Sequence, residues 1–84
     1  MNKYQVLIEK RAQKFISKLP KPEKARLLKA IYALPNGDTK PLQGHSEYHR
    51  LRVGTYRIIF TINNGKLIIC IVDAGNRGDI YKRY

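Results

Sequence analysis

Eighty-four residues, 43% of them hydrophobic, hold one small domain with one core, which excludes a two-domain enzyme or a doubly wound cofactor-binding sheet. Seventeen Lys and Arg against six Asp and Glu give a formal charge of +11. That excess repels itself in a compact fold and points to an anionic partner: nucleic acid first, a membrane surface second, an acidic protein third.

The elements follow in chain order. Tyr4, Val6 and Ile8 alternate with Gln5, Leu7 and Glu9, the pattern of a short strand. From Arg11 the period becomes helical: Ala12, Phe15, Ile16 and Leu19 share a face, and Pro20 ends that helix. Pro22 and Glu23 suit the first turn of a second helix, Leu27, Leu28, Ile31 and Leu34 stripe it, and Pro35-Asn36-Gly37 stops it. The two helices read as a hairpin. Asp38 to Glu47 reads as a loop, followed by strands Tyr48–Val53, Tyr56–Ile62 and Lys66–Asp73. Gly54-Thr55 has the glycine that a type II′ turn wants first, and Asn64-Gly65 is a strong type I′ signal. The predicted domain, residues 1–84, is therefore α+β, in the order β-α-α-β-β-β, with an antiparallel sheet packed by the helical hairpin.

The first turn has a consequence for charge. With Gly54 and Thr55 as the loop, Val53 faces Tyr56, Arg52 faces Arg57, Leu51 faces Ile58 and Arg50 faces Ile59. Arg50, Arg52 and Arg57 then project from one face, while Leu51, Val53, Ile58, Phe60 and Ile62 project from the other into the core. Like charges directly opposite each other destabilise a sheet, unless an anion sits between them. A two-residue turn at Asn64-Gly65 would place Leu67 opposite Ile62 and Val72 beside Arg57, and deliver Arg77 and Tyr81 to the same end. The expected cluster is four guanidiniums and one phenol at the surface. It reads either as a ligand site or as a solvated rim; arginine's rigid fork, matched to phosphate oxygens, favours the first.

Lys10, Lys14 and Lys18 form a basic stripe on the first helix, which Lys21, Lys24 and Lys29 extend. Such a stripe is either the wet face of an amphipathic helix or a docking surface for a polyanion. His49 alternates with Arg50 and faces the core side, and His45 lies in the loop. No Cys/His/Asp spacing resembles a metal site, and no Gly-rich phosphate loop, Ser/His/Asp set or paired carboxylate occurs. The longest apolar run, Leu67 to Val72, is far short of the roughly 20 residues that span a bilayer. The start, Met1-Asn2-Lys3-Tyr4, lacks a signal-peptide h-region, and the single Cys70 makes no internal disulfide. A cytoplasmic location is expected, with no membrane partner.

Leu42-Gln43-Gly44, Tyr48-His49-Arg50-Leu51-Arg52, Gly54-Thr55-Tyr56-Arg57-Ile58-Ile59-Phe60 and Ala74-Gly75-Asn76-Arg77-Gly78-Asp79-Ile80-Tyr81, in this order of elements, resemble the RelE/ParE toxin superfamily. The resemblance runs over nearly the whole chain and implies a RelE-like fold with a short C-terminal helix. It also implies the toxin of a type II toxin–antitoxin pair, with a cognate antitoxin as partner. RelE-type members cut messenger RNA in the ribosomal A site, and ParE-type members poison DNA gyrase. RelE-type motifs carry basic residues at the positions of Arg50, Arg52, Arg57 and Arg77 and a tyrosine at that of Tyr81, all suitably filled here. The implied activity is a metal-independent, cofactor-free endoribonuclease that uses attack of the 2′-hydroxyl on the adjacent phosphate. Arg52 and Arg57 would hold the phosphate, Arg77 would support the leaving oxygen, and Tyr81 would stack on or orient a splayed base. Lys10, Lys14, Lys18, Lys82 and Arg83 would contact RNA or ribosome. A gyrase inhibitor and a non-cleaving RNA-binding protein are the alternatives. One departure stands out: the best-known RelE pattern has lysines where this chain has Arg50 and Arg52, and an arginine does not give up its proton. The general base then falls to Tyr81, His45, a ribosomal group or water.

Overall fold

The computed structural model describes residues 3–76, without the side chains of His45 and Ser46. Helix α1 spans Lys10–Ser17 and buries Ala12 and Ile16, with Phe15 half-buried at their side. Its lysines consequently face outward. Helix α2, Lys21–Tyr32, follows directly: Pro20 is its N-cap, Pro22 and Glu23 occupy its first turn, and Leu27 and Ile31 are its buried stripe. Leu34, just past the helix, is fully buried.

Strands β1 (Gln5–Ile8), β2 (Thr39–Leu42), β3 (His45–Val53), β4 (Tyr56–Asn63) and β5 (Ile68–Asn76) form one sheet in the order β1-β5-β4-β3-β2. Both helices pack on one face, where Leu51, Tyr56, Ile58, Phe60, Ile69, Ile71 and Ala74 meet Ala12, Ile16, Leu27 and Ile31 in a single core. Phe15 meets Tyr56 edge-on at 5.9 Å between ring centroids, and His49 stacks on Phe60 at 5.4 Å, which places His49 on the core side as expected.

Three features differ from the sequence-based expectation. First, the stretch read as a loop from Asp38 contains β2, paired antiparallel with β3. Its sequence, Thr-Lys-Pro-Leu, has little strand character, and Pro41 lacks an N–H; both are tolerated because β2 is an edge strand. Second, the sheet is mixed rather than wholly antiparallel, because β1 pairs parallel with β5. Third, the β4–β5 turn is not a two-residue type I′ turn. Asn63 pairs with Ile68, so residues 64–67 form the loop. Gly65 does not take the positive φ that type I′ requires, and Leu67 takes it instead, at 56°. Side chains and the neighbouring strand hold this wider loop: Asn63 Oδ1 accepts the Lys66 N–H at 3.0 Å, and the Leu67 carbonyl accepts the Gln5 N–H at 2.8 Å.

The wider loop moves the partner of Ile62 from Leu67 to Ile69, an even shift that keeps Ile69 and Ile71 on the core face. A bulge then falls between Ile59 and Phe60, where the partners jump from Asp73 to Ile71 and leave Val72 unpaired. The residue opposite Arg57 is therefore Gly75, not Val72. The first turn is as expected: Gly54 has φ 60°, and every pair from Arg50–Ile59 to Val53–Tyr56 holds. The predicted short C-terminal helix lies outside the described residues.

Candidate functional site

The register assembles one row of residues across the sheet. Thr39 pairs with Leu51, and the Arg52 N–H donates to the Asp38 carbonyl at 3.0 Å, so Asp38 sits beside Arg52 at the start of β2. Arg52 pairs with Arg57, and Arg57 with Gly75. The row reads Asp38, Arg52, Arg57, Gly75. Arg50 lies two residues along β3 on the same face, opposite the fully buried Ile59. Guanidiniums thus stand over a partly apolar floor, on the face away from the helices.

Each of the three arginines is held differently. Arg52 is the most open: its side chain is 51% exposed, and its Nε donates to Asp38 Oδ2 at 2.7 Å. Among the described residues one N–H of five is used there, which leaves both terminal amino groups to another anion. The Arg50 side chain is only 14% exposed, with its Nη1 3.6 Å from Asp38 Oδ1 and 3.5 Å from the Asp38 carbonyl. Arg57 is buried, contrary to the expectation that it lies at the surface. Its Nη1 donates to the Gly54 carbonyl at 3.2 Å and to the Tyr56 carbonyl at 3.0 Å, closing the β3–β4 turn from below. The cause is tertiary: the strand is covered on both sides by β3 and β5, and a guanidinium there must use backbone acceptors.

Asp38 is the group that sequence reasoning missed. Its carboxylate supplies within the chain part of the anion that the Arg52–Arg57 juxtaposition calls for. The hydrogen bond from Arg52 holds its carboxyl below the usual carboxylate range; partial desolvation opposes this, and the charges of Arg52, Arg50 and Lys40 add to it. A folded-state pKa below the unfolded value makes a contribution to stability that is present above about pH 4 and lost as pH falls through the folded value. Asp38→Asn is therefore expected to be less stable than the parent at pH 7, with the difference shrinking on acidification to about pH 3. Urea unfolding at the two pH values checks this. Among the described residues, three guanidiniums against one carboxylate still leave the face cationic.

Glu23 on α2 has a different role. It faces the Tyr56 hydroxyl, whose pKa is pushed up first by burial and then by that carboxylate, with Arg26 opposing. This ties α2 to the strand that carries Arg57. Cys70 is half-buried, and desolvation pushes its thiol up, which makes it a poor nucleophile.

A second basic surface lies on the helical side. Lys10, Lys14 and Lys18, all exposed, border a groove of about 500 Å³ whose lining includes Phe15, Ala74, Arg11 and Asp73. Asp73 is fully buried: its Oδ1 accepts the Ala74 N–H at 2.9 Å, and its Oδ2 is 3.6 Å from Arg11. The stripe expected from the sequence is present, separate from the arginine row. Arg77, Tyr81, Lys82 and Arg83 lie outside the described residues, as does the side chain of His45. The last described residue, Asn76, pairs with Tyr56, one position from Arg57. Among the described residues no group of three or more His, Cys, Asp and Glu is arranged to hold a metal ion, and no helix is long and apolar enough to cross a membrane.

Residues 6–81 match the model of the ParE toxin of the type II toxin–antitoxin system parDE. No curated protein matches the chain. Among solved structures, the fold is similar to that of the archaeal RelE–RelB complex from Pyrococcus horikoshii, with 30% identity, TM-score 0.76 and coverage of 94% of this chain and 99% of that one. It is also similar to the RelBE2 toxin–antitoxin complex of Mycobacterium tuberculosis, with 24% identity, TM-score 0.76 and coverage of 88% and 98%. The isolated RelE toxin of E. coli shares 20% identity at TM-score 0.73, with coverage of 95% and 93%. With the family model spanning nearly the whole chain and a near-full-length relative at 30% identity, this protein belongs to the RelE/ParE superfamily of type II toxin–antitoxin toxins.

Proposed function

We propose that this toxin is a ribosome-dependent endoribonuclease that cleaves messenger RNA in the A site and so inhibits translation in the cytoplasm. The observation that carries the reading is the pairing of Arg52 with Arg57, with Arg50 on the same face. A sheet that sets two guanidiniums opposite each other is suited to holding an anion with two non-bridging oxygens. In this reading the phosphodiester lies on the free amino groups of Arg52, beside Arg57 and Arg50. The RNA 2′-hydroxyl attacks phosphorus, a 2′,3′-cyclic phosphate forms, and the 5′-oxygen leaves. Negative charge that gathers on the phosphate oxygens meets donors already held by Asp38, Gly54 and Tyr56, so little reorganisation is needed as it develops. Arg77 would support the leaving oxygen, and Tyr81 would stack on a splayed base. Lys10, Lys14, Lys18, Lys82 and Arg83 would contact ribosomal RNA, and no metal takes part. A cognate antitoxin is the proposed inhibitor, as the solved RelE–RelB complexes suggest.

A second reading, inhibition of DNA gyrase, is favoured by one observation: the matching family model is described as the ParE toxin. Inducing the chain in bacteria and mapping messenger 5′ ends separates the two. The endoribonuclease reading expects new ends confined to translated codons. Double-strand DNA breaks with intact messengers would overturn it in favour of gyrase. Growth arrest with neither would leave a non-cleaving RNA binder.

A further inference from the structure

Among the described residues the cations of the row are all arginines, which raises a chemical question, because attack by a 2′-hydroxyl goes faster when a base takes its proton and guanidiniums cannot serve. Five acids fall within the described residues: Glu9, Glu23, Asp38, Glu47 and Asp73. Glu9 is the N-cap of α1, and Glu23, on α2, faces Tyr56. Glu47 alternates with the arginines and shares the core-side parity of His49 and Leu51. Asp73 is fully buried. Asp38 alone among them touches the arginine row, and its side chain is 43% exposed.

We propose that Asp38 is the general base of the cleavage, its carboxylate taking the proton of the attacking 2′-hydroxyl while Arg52 bridges it to the scissile phosphate. The proposal rests on the endoribonuclease reading above. Arg52 binds Asp38 Oδ2 through Nε, and its terminal amino groups point a bound phosphate to the neighbouring edge of the same planar group. Base and phosphate are then set side by side by one guanidinium. Among the described residues, Asp38 Oδ1 has the 3.6 Å approach of Arg50 Nη1 alone and so keeps lone-pair capacity for the incoming hydroxyl. In the step, the O2′–H bond breaks and its proton goes to Asp38. The O2′–P bond forms, the P–O5′ bond breaks with its electron pair on O5′, and O5′ takes a proton from water. Asp38 then releases its proton to solvent. The neighbouring cations keep this carboxyl ionised throughout the neutral range, at some cost in basicity.

The test uses the full chain on ribosomes programmed with a defined A-site codon. It measures single-turnover cleavage, and binding to the same complex with a 2′-deoxynucleotide at the cut position. Asp38→Asn keeps an oxygen acceptor for Arg52 Nε but takes up no proton. It should slow cleavage by about 10²–10⁴-fold. Binding of the uncleavable complex should be equal or tighter, since a negative charge beside the phosphate is gone. Asp38→Glu should restore part of the rate. If Asp38→Asn cuts as fast as the parent, the proposal is overturned. If binding and rate fall together, Asp38 only orients Arg52, and the proposal is also overturned. A parent chain that leaves the programmed messenger intact overturns the endoribonuclease reading itself, and this base with it.

Discussion

Arg57→Ala is expected to reduce single-turnover cleavage of A-site messenger by about 10²–10³-fold, the loss typical of removing one preorganised donor to a developing oxyanion. It is also expected to lower folding stability by about 1–3 kcal/mol, because the Gly54 and Tyr56 carbonyls lose a charged donor in a place with little water. The two effects have to be measured apart. Arg52→Ala does so: its side chain is half-exposed and its removal strands no buried acceptor, so cleavage should fall comparably while urea unfolding shifts less than for Arg57→Ala, by the exposed Asp38 pair alone. Arg57→Lys keeps the charge but loses the fork that spans two carbonyls, and should fall between parent and alanine on both measures. If Arg52→Ala and Arg57→Lys both cut as the parent does, the arginine row is not the phosphate site.

Reversing the lysine stripe has the second large effect. Lys10, Lys14 and Lys18 replaced together by Glu should leave the fold intact, since all three are exposed and the buried face of α1 is Ala12 and Ile16. Ribosome affinity should fall steeply at low salt. The slope of log K against log salt should become shallower by about two to three, roughly one counterion per lost phosphate contact. The rate of the bound chemical step should stay at the parent value, because the stripe and the arginine row occupy different surfaces. Titration of ribosome binding across salt concentrations, beside single-turnover rates at saturation, checks both. An unchanged slope would mean that the stripe is only a solvated helix face.

The two surfaces also divide the ways in which such a toxin can be silenced. Covering the lysine stripe would block docking and leave the arginine row intact. Covering the row would block chemistry and leave docking intact. Which of the two an antitoxin covers is decided by whether the inhibited toxin still binds ribosomes, a direct pull-down measurement.

What the chain determines by local rules is visible in its first two thirds. Helix α1 is written in the spacing of Ala12 and Ile16, and α2 in Pro22, Glu23, Leu27 and Ile31, because helical period and first-turn chemistry depend on neighbours three and four residues away. The Arg52–Arg57 pairing is equally local: Gly54 admits a positive φ, and a two-residue turn sets every pair behind it. Asn64-Gly65 shows where that logic ends. The same kind of signal was overridden by the Asn63 side chain and by β1, which claims the Leu67 carbonyl from the other end of the sequence. The unpaired Val72 then advanced β5 by one further position, so Gly75 rather than Val72 came to Arg57. Burial of Arg57, the edge strand around Pro41 and the arrival of Asp38 beside Arg52 are decided only by long-range pairing. Sequence spacing carries no record of which strand lies next door. The charge and the arginines were therefore readable from the chain alone, whereas their counter-ion, and with it the candidate base, came from the sheet.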